Sequence, residues 1–136
     1  MNRGIYESAN ENYPTLVKRL QSNYVDRFIT YGLIWLFISI AVFINNESIG
    51  LKVIAILFAL SYEPLAITFY RTVGQIVVGI KVKSLSKDLK ITLLNSYGRF
   101  GVRLILGWFS FLTMYDNSER RAIHDLMSNT IVVDVA

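Results

Sequence analysis

Phe28-Ile-Thr-Tyr-Gly-Leu-Ile-Trp-Leu-Phe-Ile-Ser-Ile-Ala-Val-Phe-Ile44 runs for seventeen residues without a charge. Crossing the hydrocarbon core of a bilayer takes about 20 mainly apolar residues, with a range of about 17–25. The run therefore reads as a transmembrane helix, with Phe28, Tyr31 and Trp35 grouped toward one end. Asn45-Asn-Glu-Ser48 ends it in a tight polar turn, and a second apolar run follows from Ile49 to Tyr70. A turn this short makes the two helices antiparallel neighbours, a helical hairpin.

Composition around the hairpin agrees with it. The chain has 136 residues, 53% of them hydrophobic and 18% charged, with a mean hydropathy of +0.41. Soluble domains carry about 25% charge, so a water-soluble globule is disfavoured, and the length suits one domain. Cysteine is absent, which excludes disulfides, thiolate metal sites and cysteine nucleophiles. The net charge of +4 suits membrane topology and anionic headgroups, and no nucleic-acid partner is expected. Residues 1–26 contain no apolar run of the kind a cleavable secretory signal needs, so the first apolar run is expected to be retained as an anchor. Within a polar leader over residues 1–23, Leu16 and Leu20, continued by Tyr24, recur at helical spacing, with Lys18 and Arg19 elsewhere on the wheel. This segment is either a short helix on the membrane surface or a frayed terminus.

Lys and Arg placement sets an orientation. Arg3, Lys18, Arg19 and Arg27 precede the hairpin, and Arg71, Lys81, Lys83, Lys87 and Lys90 follow it, while the connecting turn has none. Loops rich in Lys and Arg stay cytoplasmic, which puts both flanks and the N-terminus inside. After Arg71 the pattern changes: Val78, Ile80 and Val82 alternate with Gly79, Lys81 and Lys83, as in a strand. A turn at Ser86-Lys-Asp88 would bring Leu89–Ile91 back as a cytoplasmic β-hairpin. The β-branched ending Thr130-Ile-Val-Val-Asp-Val135 is a further strand that can pair with 78–83. A third apolar segment, 92–115, is interrupted by Arg99, Arg103 and three glycines. Its uncharged part, Leu104 to Tyr115, is twelve residues, short for a span and suited to a re-entrant segment. A full crossing would instead carry Arg120 and Arg121 outside, against the positive-inside tendency. The expected class is an all-α membrane protein with a hairpin, a third re-entrant segment and a small β-hairpin.

Ionisable side chains at membrane depth cost about 2.5–3.5 kcal/mol each on insertion scales, so each needs a reason. Glu63 lies about 10 Å from the inner end of its helix, at 1.5 Å per residue. Arg99 lies equally deep if the third segment enters at Thr92. A Glu63–Arg99 contact is therefore expected, with Arg103 on the same helix face and Arg27 able to join. Three readings stay open: Glu63 as a proton or cation carrier, a static ion pair, or arginines reaching out to phosphates. Pro64 deprives the Leu60 carbonyl of its helical partner and predicts a kink.

Other chemistry is not supported. His124, the single histidine, stands beside Asp125 and near Ser128, but adjacency in sequence does not build a triad, and no Gly-x-Ser-x-Gly elbow occurs. One histidine without cysteine makes no typical zinc site. Gly98-Arg-Phe-Gly101 and the Gly74…Gly79 pair lack the phosphate-loop patterns. No cofactor and no enzymatic activity are expected. Glu119-Arg-Arg121 is either a headgroup contact or a solvated turn.

Two motifs resemble the RDD family of small bacterial membrane proteins, over residues 24–135. Thr72-Val-Gly-Gln-Ile-Val-Val-Gly-Ile-Lys-Val82 is similar to the family stretch T-P-G-K-R-L-L-G-L-R-V, with both glycines, Gly74 and Gly79, in register. Arg120-Arg-Ala-Ile-His-Asp-Leu-Met-Ser-Asn-Thr-Ile-Val-Val133 resembles the family ending R-R-x-x-H-D-x-x-x-x-T-x-V-V, with Asp125 as the last of the two name-giving aspartates. Arg99 and Arg103 fall where the family has a basic start to its last membrane segment. On this resemblance Arg27 is the family arginine. The aspartate expected a turn or two later is absent, the chain reading Tyr31-Gly-Leu-Ile-Trp35 there, and Val73 and Gln75 replace a Pro and a Lys. The resemblance implies a protein of the bacterial cytoplasmic membrane and, as ascribed to some relatives, cation/proton exchange. The departure favours a non-transporting module that assembles with a partner membrane protein. Arg121 and Asp125, four apart, would meet on a helix and lock the C-terminal segment under the bundle. Three segments enclose little volume, so transport would require a homo-oligomer.

Overall fold

A computed structural model describes residues 12–86 and 90–135. Six helices, α1 to α6, occupy Leu16–Ile44, Ile49–Leu60, Tyr62–Phe69, Val73–Val78, Leu93–Leu106 and Ile123–Met127, with a 3-10 stretch at Gly107–Met114. Two strands, β1 (Ile80–Ser84) and β2 (Thr130–Asp134), pair antiparallel, with Val82 opposite Val132.

Side-chain caps start the helices. Thr15, Ser48, Thr72 and Thr92 accept from the N–H of Lys18, Leu51, Gln75 and Asn95, each satisfying a donor that the first turn leaves free. Two helical runs are long and apolar enough to cross a membrane, Leu16–Ile44 and Ile49–Phe69. The second breaks at Ser61, between α2 and α3, just before Pro64.

The hairpin exposes large apolar side chains and buries small ones. Phe28, Trp35, Phe43 and Phe58 point outward at 84%, 73%, 91% and 71% exposure, while Ala41, Ala55 and Ala59 fill the buried positions. Small residues let two backbones approach where lipid supplies no hydrophobic drive. Phe37 adds an edge-on contact with Phe58 at 6.3 Å.

The leader is part of α1, not a separate surface helix, since one helix runs from Leu16 through the apolar run. At 29 residues it is about 44 Å long, longer than the roughly 30 Å hydrocarbon layer. Its first turns bury a polar stripe, Arg19, Ser22, Asp26 and Thr30, at helical spacing. Tyr24, expected on the apolar face, is exposed.

The β element also differs from the expected local hairpin. Val78 ends α4, and Gly79 takes a left-handed conformation (φ 76°) that a side chain would strain, turning the chain into β1. Ile91 forms no strand and packs with Ile67, Ile80, Val82 and Val132. The partner of β1 is the C-terminal strand, the long-range pairing that the β-branched ending suggested. Of the expected turn at Ser86-Lys-Asp88, residues 87 and 88 lie outside the described residues, as does residue 89.

α5 is inverted. Ser96, Arg99, Phe100 and Arg103 face inward, whereas Leu94 and Ile105 are 82% and 85% exposed. Its fourteen residues measure about 21 Å, short of a span. At Gly107 (φ 56°, ψ −135°) the chain enters the 3-10 stretch, which buries Ser110, Phe111 and Met114 and exposes Trp108 and Phe109.

The alanine seam gives a test. Ala59 is fully buried, so Ala59→Leu should separate α1 from α2 and destabilise by about 1–3 kcal/mol, read by chemical unfolding in detergent. Phe43→Leu, on the outward face, should change stability by less than about 0.5 kcal/mol.

Candidate functional site

Beneath the hairpin the buried side chains are mainly polar, and Asp125 is at their centre. It sits in the first turn of α6 with its side chain fully buried. Arg19 of α1 grips its Oδ2 and Arg99 of α5 its Oδ1; Oδ2 also accepts the Ala122 N–H at 3.0 Å. Burial raises its pKa, but the two guanidiniums outweigh burial and hold the carboxyl below the usual carboxylate range.

Each arginine is fixed again elsewhere. Arg19 donates to the Arg120 carbonyl at 2.8 Å and lies over the Phe111 ring. Arg99 donates to Thr130 Oγ1 at 3.2 Å, at the start of β2. Asp125 thus ties α1, α5, α6 and the sheet together.

His124 belongs to the same cluster. Its Nε2 lies 3.4 Å from Arg19 Nη2, and its Nδ1 2.9 Å from Ser110 Oγ. A guanidinium only donates, so Nε2 accepts and Nδ1–H donates to Ser110, which passes its own hydroxyl proton to the Gly107 carbonyl at 2.9 Å. The ring is neutral. Burial pushes its pKa well down, Asp125 opposes that, and Arg99, Arg103 and Arg19 add to it.

A second carboxylate, Glu63, meets Arg103. The expected partner was Arg99. Thr68 Oγ1 donates to Ser96 Oγ at 2.8 Å, which sets α3 against α5 about one turn away from the register inferred by matching depths. Arg103 then reaches Glu63, and Arg99 is left to face Asp125.

The third carboxylate is Asp26. Its Oδ1 accepts from the Gly74 N–H at 2.8 Å and the Tyr62 hydroxyl at 3.5 Å, and its Oδ2 from Thr72 Oγ1 at 2.6 Å. Among the described residues no cation lies within ion-pair distance of it. Thr72 also accepts the Gln75 N–H at 3.2 Å, so one threonine caps α4 and holds the carboxylate. Gly74 makes the approach possible: a Cβ there would stand 2.2 Å from the Ser22 carbonyl oxygen and 2.8 Å from the Asp26 carboxyl.

The remaining predicted positions fall as follows. Arg27 is half-buried and stands outside the hydrogen-bonded cluster. Pro64 is buried beside Glu63. Arg121 precedes α6 and does not pair with the Asp125 carboxylate; it donates to the carbonyls of Thr130 (3.1 Å) and Asp125 (3.4 Å). Sequence reasoning passed over Asp26 and left Arg19 on the polar side of a surface helix or in a frayed terminus. Their signal was present as a polar stripe at helical spacing on α1. Arg19 and Asp26 are seven residues apart, two turns, which is the spacing sought after Arg27.

No group of ligands able to hold a metal occurs among the described residues. The model of the RDD family matches residues 13–129, which takes in Arg19, Asp26 and the His124-Asp125 pair. No curated protein and no solved structure matches the chain.

Two expectations follow. Gly74→Ala should destabilise by about 1–3 kcal/mol, seen as a lower unfolding midpoint, because α4 must move off α1. Native His124 stays neutral, whereas the unfolded chain takes up a proton near pH 6.5. The unfolded state then binds more protons in acid, so stability falls as pH drops below about 6.5, at up to about 1.4 kcal/mol per pH unit. It should be flat above pH 7.5, and His124→Gln should remove the slope between pH 5 and 6.5.

Proposed function

The chain belongs to the RDD family, and on that premise we propose that it is a multi-pass protein of the bacterial cytoplasmic membrane that exchanges a monovalent cation for a proton. Asp26 is the exchanging carboxylate. The observation that carries this reading is the difference among the three buried carboxylates. Asp125 and Glu63 are neutralised by arginine, whereas Asp26 is held only by neutral donors, those of Thr72, Gly74 and Tyr62. A carboxylate outside any ion pair, with Arg103 acting on it only through its longer-range field, can trade a proton for a cation; one gripped by guanidinium has lost that freedom.

Orientation follows the positive-inside rule. The charged cluster and the sheet are cytoplasmic, the Asn45–Ser48 turn is outside, and residues 93–114 enter the inner leaflet without crossing. The inverted α5 fits this placement, its apolar side toward acyl chains and its arginines toward the protein. Above Thr30 the buried positions of α1 and α2 are alanines, so an ion route past that level has to be walled by further copies of the chain. The alanine seam also supports a second reading, a non-transporting module that assembles with a partner membrane protein.

Reconstitution in liposomes with an internal pH dye, challenged by Na⁺, K⁺ and Li⁺, separates the two. Exchange predicts cation-driven proton movement that falls at least tenfold in Asp26→Asn and persists in a folded Phe43→Leu control. A folded wild-type protein that moves no protons in response to any of the three cations removes the transport reading and leaves the module.

A further inference from the structure

The second long apolar run ends at Phe69, and the chain turns there through Tyr70 and Arg71 toward α4. Phe69 and Tyr70 are 79% and 59% exposed. Two cations approach the Tyr70 ring. The Arg71 guanidinium carbon lies 4.9 Å from its centre, and Lys81 Nζ, from β1, lies 5.8 Å away, both within the cation–π range of about 6 Å. Arg71 Nη2 also donates to the Tyr70 hydroxyl at 2.9 Å. One exposed ring thus gathers positive charge from the end of a span and from the sheet.

This pair lacks what the buried arginines have. Arg19, Arg99 and Arg103 each meet a carboxylate. Among the described residues no carboxylate lies within ion-pair distance of Arg71 or Lys81. The ring attracts both cations but neutralises neither, so an anion set between them relieves their mutual repulsion.

Apolar surface adjoins the pair. Glu63 meets Arg103 and Thr68 meets Ser96, so α5 runs antiparallel to α3. Its start, Leu93 and Leu94, therefore lies level with the Phe69–Tyr70 end, and Leu94 is 82% exposed. Cations at the end of a span with bare apolar side chains beside them fit an amphiphile. An acidic peptide would use the charges and leave Phe69 and Leu94 uncovered.

We propose that Tyr70, Arg71 and Lys81 form the headgroup site of one anionic phospholipid, its phosphodiester between Arg71 and Lys81 and its acyl chains along Phe69 and Leu94. The Arg71 fork takes phosphate oxygens, and Lys81 adds a point charge. The site rests on the membrane placement of the hairpin and stands without ion exchange.

The test reads bound lipid, so its outcome is independent of transport. Native mass spectrometry of the detergent-solubilised full chain compares phosphatidylglycerol with phosphatidylcholine of identical acyl chains, with inorganic phosphate as the headgroup-only arm. The expected result is one retained phosphatidylglycerol, preferred over phosphatidylcholine and not displaced by phosphate. Arg71→Gln and Lys81→Gln should each lower that preference roughly fivefold, the factor for one basic group near an anionic headgroup. Lys52→Gln removes one charge beside the Asn45–Ser48 turn, where Lys52 donates to the Asn46 carbonyl, and should leave the preference intact. Equal binding of the two lipids, the same loss in Lys52→Gln, or displacement by phosphate alone would overturn the proposal. Should Arg71→Gln or Lys81→Gln not fold, a phosphatidylglycerol with a photoreactive headgroup decides on the wild type: labelling within residues 69–81 upholds the site, and labelling confined to other segments refutes it.

Discussion

A carboxylate removed from water must meet positive charge or hydrogen-bond donors, and Asp125 meets both. Two guanidiniums from different helices and a backbone N–H converge on its two oxygens. Breaking a buried pair by removing one partner costs about 3–5 kcal/mol, because the other charge is stranded. This is how a short helix of five residues, α6, with little apolar surface of its own, holds the C-terminal strand against β1. The rest of the inner layer is arranged around it: His124 kept neutral by burial, with the arginines adding to it, Arg99 extended to Thr130, and Arg19 fastened to the Arg120 carbonyl.

The inverted helix follows from the same constraint. α5 carries two arginines one turn apart, and both carboxylate partners lie on the protein side. Leu94 and Ile105 are left to the outside. The protein is therefore organised in two regimes. In the hairpin, alanines are buried and aromatics are exposed; under it, charges are buried and paired. α1 belongs to both: its buried polar stripe ends at Thr30, and the next buried position is Ala41. Asp26 differs from its two paired counterparts because Thr72, Gly74 and Tyr62, and no arginine, supply its hydrogen bonds.

Much of this was legible in the residues. Uncharged length disclosed the hairpin, Asn45–Ser48 its turn, and β-branched spacing the terminal strand that pairs with β1. The ending around His124-Asp125 pointed to the RDD family. What escaped was the partner choice among charges. Matching Glu63 with Arg99 by depth assumed a register between α3 and α5, and that register is set by Thr68 and Ser96, which carry no such signal in a linear string. Asp26 was missed because an acidic residue just ahead of an apolar run looks like a polar flank. Only the Arg19–Ser22–Asp26–Thr30 periodicity distinguishes a buried stripe from a solvated one. The local β-hairpin was expected because Ser86-Lys-Asp88 reads as a turn toward Leu89–Ile91, yet the Ile91 side chain is used in the core with Val82 and Val132.

The account turns on Arg19 and Arg99 acting through one shared carboxylate, and a double-mutant cycle in detergent measures that most directly. Asp125→Asn, Arg99→Gln and their combination are compared by equilibrium unfolding, with Arg19→Gln as a parallel arm. The account predicts strong non-additivity, with the double variant costing at least about 2 kcal/mol less than the sum of the single ones, since removing both partners strands no charge. Additive losses in both arms would contradict it, because Asp125 would then stabilise the protein independently of the two arginines.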